Sequence, residues 1–139
     1  MASVPAHEPL YYNDVAVGET WDSMARTVTE TDIVNFAGMT GDYNPLHVDH
    51  EFVKNTPFGR PIAHGLLGLS WVAGLGSFSA CMRTAAFVRV CDWRFLKPVF
   101  GGDTVHVRTE VIAKEIRGRG RRGLITWKRQ LVNHTGEVV

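Results

Sequence analysis

Asp42 and His47 lie five residues apart in the segment GDYNPLH, residues 41–47. A carboxylate and an imidazole are side chains that commonly give and take protons in catalysis. Pro45 fixes its own φ angle and disfavours the helical region for Asn44, which predicts a stiff turn between the two groups. Because proton transfer requires groups that are held in place, this segment is a candidate catalytic site.

Two further polar residues, Asn44 and His64, are candidates for supporting this site. The Asn44 side chain can bond the backbone of the turn, which favours a structural role, and it can also orient Asp42 or His47. His64 belongs to a second segment, RPIAHG at residues 60–65, which opens a long apolar run. At the start of a helix, we favour a bond from His64 to the backbone over contact with a ligand.

The composition is that of an ordinary globular protein. The 139 residues are 45% hydrophobic and 21% charged, with a formal net charge of +1, and we predict a single domain over residues 1–139. A near-neutral chain has no field that attracts nucleic acid or an anionic membrane. We predict that Cys81 and Cys91 are buried thiols in a cytoplasmic protein, rather than a disulfide.

The segment Gly65–Met82 contains no charged residue and approaches the roughly 20 residues that span a bilayer. It also contains four glycines and three serines, and no second such segment accompanies it. A helix that is apolar on every side belongs at the centre of a soluble domain, so we predict a buried core helix. Met1–Leu10 lacks the basic and apolar regions of a secretory signal.

The residue pattern in the first half of the chain predicts one strand followed by helices. Thr29, with Asp32 three residues later, is typical of a helix N-terminus. Gly38 or Gly41 is predicted to end that helix. The other predicted elements are a strand at Glu19–Val28, a helical turn at Asp49–Lys54 and the long apolar helix from about His64 to Met82.

The second half alternates apolar and polar residues, as strands do. Val105, Val107, Thr109 and Val111 are predicted to share one face of a strand. Helices followed by long antiparallel strands predict an α+β fold whose sheet wraps around the buried helix. The three predicted strands are Phe87–Phe95, Thr104–Lys114 and Leu124–Asn133.

Residues 36–47 (FAGMTGDYNPLH) and 58–65 (FGRPIAHG) resemble the MaoC-like dehydratases, which include the (R)-specific, type 2 enoyl-CoA hydratases. The resemblance runs from about residue 10 to the end and is most specific in residues 36–70. It implies a hotdog fold, an antiparallel sheet around a central helix, in agreement with the pattern above. It also implies a homodimer with thioester tunnels near the subunit interface.

The resemblance implies that Asp42 and His47 are the catalytic pair and that Gly65 offers its backbone N–H to the thioester carbonyl. Some family members also have a supporting serine eight residues after that glycine. Here this position is Ala73, and Ser70 lies about one helical turn earlier. Ser70 is therefore the candidate replacement.

These residues suit hydration of a 2-enoyl thioester, or the reverse dehydration of a 3-hydroxyacyl thioester. Water must be activated at C3 and a proton delivered at C2, and Asp42 and His47 can divide these tasks or bind one water between them. The unpaired first N–H groups of a helix can stabilise the enolate oxygen. Because the thioester itself acidifies C2, we expect no metal or organic cofactor beyond the coenzyme A or carrier-protein phosphopantetheine of the substrate.

A metal site is an alternative use for the carboxylates and imidazoles at residues 42–50. His50 and Glu51 are followed by Phe52-Val53-Lys54, so the His-Glu-x-x-His pattern fails. The spacing fits no established zinc pattern, and we predict no metal.

Cations are needed where the phosphates of coenzyme A or of a carrier arm bind. Lys54 and Arg60 are candidates near the predicted site. A Gly-rich turn supplies further arginines, which suit bidentate phosphate contacts, although a solvated turn is the favoured interpretation. These arginines are Arg117, Arg119, Arg121 and Arg122.

Two other functions are consistent with the sequence. A hotdog acyl-CoA thioesterase would use a carboxylate and water and would not need His47. A non-catalytic acyl-binding subunit would need neither, and the complete Asp, His and Gly set argues against it. The acyl group is left open, although Trp71, Phe78 and Trp93 could shape an acyl pocket.

Overall fold

A computed structural model of the chain describes residues 8–139. Residues 1–7, part of the segment predicted to lack a secretory signal, lie outside the described residues. Two short strands and three helices come first, then the long helix and two long strands. The helices are α1 (Glu30–Thr40), α2 (Pro45–Val48), α3 (His50–Val53) and α4 (Gly65–Ser79), and the strands are β1 (Thr20–Asp22), β2 (Arg26–Thr27), β3 (Thr104–Arg117) and β4 (Arg122–Asn133).

The sheet is antiparallel and is built around β3. β4 pairs along one edge of β3, while β1 and β2 pair with successive parts of the other edge. The predicted strands at Thr104–Lys114 and Leu124–Asn133 are confirmed and are longer than predicted. The predicted shared face of β3 is also confirmed: Val105, Val107, Thr109 and Val111 are all fully buried.

The predicted strand at Glu19–Val28 is interrupted. The Ser23 hydroxyl accepts the Val107 N–H at 2.9 Å, in a position where a regular ladder would use a backbone carbonyl. The Ser23 N–H still donates to the Val107 carbonyl. This side-chain bond replaces a backbone bond of the sheet and separates β1 from β2. The alternation of apolar and polar residues does not predict such an interruption.

The predicted caps of α1 are confirmed. The Thr29 hydroxyl accepts the Asp32 N–H, and the Asp32 carboxylate accepts the Thr29 N–H at 2.8 Å, which is a capping box. Gly41 ends the helix in the left-handed region, at φ 77° and ψ 7°. This sharp turn directs the chain away from the α1 axis just before Asp42.

The long helix α4 packs on the sheet through one side only. Leu67, Trp71 and Val72 are buried in the core, whereas Leu66 is 60% and Phe78 78% exposed. The prediction of a helix buried on every side is therefore wrong for this single chain, because the sheet covers only one helix face. None of the helices within residues 8–139 combines the length and apolar character that crossing a bilayer requires.

The predicted strand at Phe87–Phe95 is wrong. These residues are irregular, and Phe87 and Val88 are 65% and 69% exposed. A strand needs a neighbour that bonds its backbone, and no strand of the described chain lies beside this segment. Cys81 and Cys91 are exposed and form no disulfide, so the predicted burial of both thiols is also wrong.

Candidate active site

A cavity of about 530 Å³ opens between the first turn of α4, the end of α1 and residues 93–99. Its wall contains Asp42, His47, His64 and Gly65. The fold thus brings together the two segments that the sequence separates by some 20 residues. Most of the remaining wall is apolar, so the polar groups face a largely apolar space.

Asp42 follows the left-handed Gly41 and has an exposed side chain. Its N–H donates to the Thr40 hydroxyl at 3.3 Å, and its carboxylate accepts the Asn44 N–H, also at 3.3 Å. The carboxylate is therefore held by the backbone of its own turn, while the rest of its surface is available to a ligand.

His47 is positioned by the short helix α2. Asn44 caps this helix, because its side-chain oxygen accepts the Leu46 N–H at 3.0 Å, and Pro45 occupies the first turn. The Nδ1 of His47 lies 2.7 Å from the carbonyl oxygen of Ile62. A carbonyl only accepts, so Nδ1 carries the hydrogen, and the Nε2 lone pair of the neutral ring is left for another partner.

His64 is buried against both of these residues and is 3% exposed. Its Nε2 lies 2.9 Å from the backbone carbonyl oxygen of Asp42. Its ring stacks on the His47 ring, with centroids 3.7 Å apart and planes 28° apart. The expected bond from His64 to the backbone is present, and the ring contact with His47 is an addition that the sequence did not predict.

The three side chains at this point are close enough to raise the question of a metal ion. One ligand atom from each of Asp42, His47 and His64 lies within 4.8 Å of the others. The imidazole lone pairs lie in the ring planes, however, and those planes are stacked. The lone pairs of the two rings cannot point at one ion unless His47 rotates and breaks its hydrogen bond to Ile62, or His64 rotates and breaks its bond to Asp42. The residues present therefore do not fit a shared metal ion in this arrangement.

The first turn of α4 lacks a side-chain cap. Thr29, Asn44 and Asp49 cap α1, α2 and α3, whereas His64, the N-cap residue of α4, gives no such bond. The first N–H groups of a helix have no partner within the helix and lie at its positive end. At Gly65 this end of α4 meets the cavity, where it can bind an oxygen that carries negative charge.

Aromatic residues beyond α4 form the apolar wall. Trp93 and Phe95 line the cavity, and their rings lie edge to face with centroids 6.1 Å apart. Of the three residues predicted to shape an acyl pocket, only Trp93 does so, since Trp71 belongs to the core and Phe78 is exposed. Phe95 was missed, because a strand pattern does not tell which side chains of an irregular segment turn inwards.

Besides Asn44, which caps α2, three predicted site residues lie away from the cavity wall. The exposed Ser70 donates its hydroxyl to the Leu66 carbonyl at 2.8 Å. Lys54 pairs with Glu51 at 2.5 Å. Arg60 lies over the Phe100 ring at 4.3 Å and is also exposed. Their roles as a supporting serine and as phosphate ligands stay predictions.

The arginine turn lies at the far end of the sheet. A cleft of about 430 Å³ there is lined by Arg117, Gly118, Arg121 and Arg122. Leu131 lines the cavity, and Arg122 lies nine residues before it in β4. At 3.3 Å per residue, the distance between the two is about 30 Å. This separation favours a solvated turn over capture of phosphates from a substrate bound in the same subunit.

Residues 13–130 match the family model of the MaoC-like domain. The 3-hydroxybutyryl-CoA dehydratase of Methylorubrum extorquens is 38% identical over 114 residues, which cover 78% of this chain and 68% of that protein. The (R)-specific enoyl-CoA hydratase of Rhodospirillum rubrum is 35% identical over 68% of this chain and 65% of its own length. This chain thus spans about two thirds of each of these relatives, both of which are hydro-lyases by name.

Solved structures show the same architecture. The monoamine oxidase regulatory protein of Archaeoglobus fulgidus superposes with a TM-score of 0.87 at 41% identity, over 94% of this chain and 88% of that one. A Mycobacterium tuberculosis protein with a double hotdog fold superposes with a TM-score of 0.77 at 22% identity, over 94% of this chain and 41% of that one. The predicted α+β hotdog fold, an antiparallel sheet packed against a long helix, is confirmed.

Proposed function

Because this chain belongs to the MaoC-like dehydratase family, we propose that it is an enoyl-thioester hydratase. In the reverse direction the same site is a 3-hydroxyacyl-thioester dehydratase. Asp42 and His47 transfer the protons, and the N–H of Gly65 binds the thioester carbonyl. One observation carries the proposal: two proton-transfer groups and an uncapped helix N-terminus face the same apolar cavity.

One water molecule can contact both members of the pair. A carboxylate oxygen of Asp42 and one ring nitrogen of His47 lie within 4.8 Å of each other. A water that makes two hydrogen bonds of about 2.8 Å can bridge such a separation. The carboxylate and the Nε2 lone pair of His47 both accept, so they orient the water oxygen towards C3 and take up a proton as it attacks. The proton is then delivered to C2 from the same side of the alkene.

The N-terminus of α4 stabilises the charge that this attack creates. Addition at C3 moves negative charge onto the thioester oxygen. The Gly65 N–H has no side-chain cap competing for it and lies at the positive end of α4. A well-placed donor of this kind contributes roughly 3–4 kcal/mol to the stability of the transition state.

The substrate supplies the remaining chemistry. The thioester acidifies C2, so the proposed reaction proceeds without a metal or organic cofactor. The wall around Trp93 and Phe95 holds the acyl group and keeps bulk water from the reacting carbons. Coenzyme A and a carrier protein both present such a thioester, and the cytoplasmic location stays a prediction from the sequence.

The active unit of this proposal is a homodimer. In the single chain, the outer side of α4 and residues 87–96 leave large apolar side chains exposed, and Phe95 of that segment lines the cavity. An apolar surface of this kind supports burial by a second subunit. Light scattering at the assay concentration tests this, and a fully active monomer would contradict it.

Hydration of crotonyl-CoA, followed by loss of the enoyl-thioester absorbance, tests the function. Asp42→Asn and His47→Ala should each lower kcat by about 10²–10⁴-fold without unfolding the protein. His50→Ala and Asp22→Asn are matched controls, because His50 pairs with Glu30 and Asp22 with Arg108 outside the cavity wall. Both controls should retain activity.

Free thiol is measured in the same reactions. Loss of absorbance without thiol release, abolished by both substitutions, is the expected result. Release of thiol without hydration would favour a thioesterase, especially if His47→Ala were unaffected. Full hydration activity in Asp42→Asn would overturn the assignment of the catalytic pair.

A further inference from the structure

His64 contacts both members of the proposed catalytic pair. Its Nε2 lies 2.9 Å from the Asp42 carbonyl oxygen, and its ring stacks on His47 at a centroid distance of 3.7 Å. The residue after it is Gly65, the first residue of α4. The buried side chain of His64 therefore contacts the turn that carries Asp42 and the helix that carries His47, and it directly precedes the proposed oxyanion donor.

The hydrogen bonds determine the tautomer of this ring. Because the Asp42 carbonyl only accepts, the Nε2 of His64 carries the hydrogen. Nδ1 is buried and has no hydrogen-bond partner among the described residues. An atom so enclosed does not reach a substrate in the cavity, so His64 lacks the free, accessible nitrogen of a general acid or base.

We infer that His64 is a positioning residue, which holds Asp42 through a hydrogen bond and His47 through ring stacking. This inference rests on the proposed function of the pair. The bond ties the α1–α2 turn to the start of α4, and the stacked ring limits rotation of His47 about its bond to Ile62. Displacement of either group by about 1 Å can lower turnover by about 10²-fold.

Two substitutions separate the two contacts. His64→Gln keeps an N–H donor near the Nε2 position and loses the ring. His64→Phe keeps a ring against His47 and loses the donor. His64→Ala loses both contacts. His50→Gln is the matched control, because His50 is exposed and pairs with Glu30.

Steady-state hydration of crotonyl-CoA is measured for each variant, together with its thermal unfolding. We expect kcat to fall about tenfold in His64→Gln and in His64→Phe and about 100-fold in His64→Ala. KM should stay within about threefold of wild type, because neither ring nitrogen of His64 is available to bind the substrate: Nε2 bonds the Asp42 carbonyl and Nδ1 is buried. A residue that served only the stability of the fold would lower Tm and leave the kcat of the folded fraction unchanged.

Imidazole ¹⁵N NMR of the wild-type protein tests the contacts without any variant. His64 should carry its hydrogen on Nε2, and His47 should carry its hydrogen on Nδ1. The reverse tautomer of His64 would overturn the inference, as would a folded His64→Ala with kcat within twofold of wild type. Wild-type protein that neither hydrates crotonyl-CoA nor has the inferred tautomers would contradict both proposals, whereas an inactive protein with these tautomers would contradict only the proposed function.

Discussion

The ring of Phe95 lies against the backbone of Gly65. A Cβ built on Gly65 would lie 2.7 Å from Cε1 of Phe95, closer than real Cβ contacts come. A side chain at this position would have to displace the Phe95 ring, which also lines the cavity, whereas glycine lets the ring pack against the backbone. The sequence predicted that the Gly65 N–H binds the thioester carbonyl. The contact with Phe95 is a second reason for a glycine at this position.

Substitution of Gly65 by Ala should therefore displace Phe95 and lower hydration activity. We expect kcat to fall by at least tenfold, because the added methyl group lies where the thioester must approach the N–H. The measurement is the crotonyl-CoA assay, with thermal unfolding as the check on folding.

The double variant Gly65→Ala/Phe95→Ala distinguishes two causes of this loss. If the methyl group blocks the thioester, removal of the Phe95 ring should leave the activity low. Recovery of wild-type kcat in the double variant would instead assign the loss to the displaced ring. Phe95→Ala alone serves as the reference for the lost apolar wall.

Replacement of Asn44 by Ala should uncap the helix that carries His47. The lost bond from the side-chain oxygen to the Leu46 N–H should lower the free energy of unfolding by about 1 kcal/mol. Since α2 sets the place of His47, kcat should fall by about tenfold with little change in KM. Urea unfolding and steady-state kinetics measure the two effects.

Asn44→Ser is the matched control, because serine caps helices about as well as asparagine. It should restore most of the stability and most of the activity. If Asn44→Ser is as stable as wild type yet as inactive as Asn44→Ala, the amide of Asn44 has a role in the reaction beyond the cap.

Asp32 should make the stability of the fold depend on acid pH. Burial raises the pKa of its carboxyl, but the Thr29 N–H and hydroxyl and the Arg26 guanidinium, 2.7 Å away, outweigh burial and lower that pKa below its usual 3.8. A carboxyl with a lower pKa in the folded state stabilises the fold above its unfolded-state pKa, roughly 3.9. This stabilisation is lost as the pH falls through the folded-state value.

The test compares wild type with Asp32→Asn by urea unfolding at neutral pH and near pH 3. The difference in the free energy of unfolding should be larger at neutral pH and should shrink in acid, because protonation of Asp32 removes the advantage of the wild type. A difference that stays constant across this range would contradict the prediction.

Gly74 and Gly76 should respond differently to alanine, although both lie in α4. A Cβ at Gly74 meets open space, so Gly74→Ala should raise the free energy of unfolding by about 0.5–1 kcal/mol. A Cβ at Gly76 would lie 3.1 Å from the Arg129 side chain, whose pKa is lowered by burial, so Gly76→Ala should gain less or lose stability.

Urea unfolding of both variants measures this pair. Equal gains would show that Arg129 moves aside without cost. A loss of stability in Gly74→Ala would contradict open space on the outer side of α4 and would indicate that a partner subunit covers it.

Local signals in the sequence predicted much of the secondary structure. The Thr29–Asp32 capping box and the shared face of β3 were predicted correctly, and of the two glycines predicted to end α1, Gly38 and Gly41, it is Gly41 that does so. Each depends on residues a few positions apart, whose backbone bonds or side-chain directions follow from local geometry. The strand at Phe87–Phe95 failed for the opposite reason, because a strand also needs a neighbour that its own residues do not specify.

The residue types alone were enough to identify the groups available at the site: a carboxylate and an imidazole across a proline turn, and a glycine at the start of an apolar helix. The residue types do not specify the packing of the folded chain, which places these groups in one cavity, lets His64 contact both Asp42 and His47, and brings the Phe95 ring against Gly65. These contacts join residues 17 to 30 positions apart. They depend on how α2, α4 and the segment before β3 pack together, and side-chain packing of that kind leaves no periodic trace in the chain.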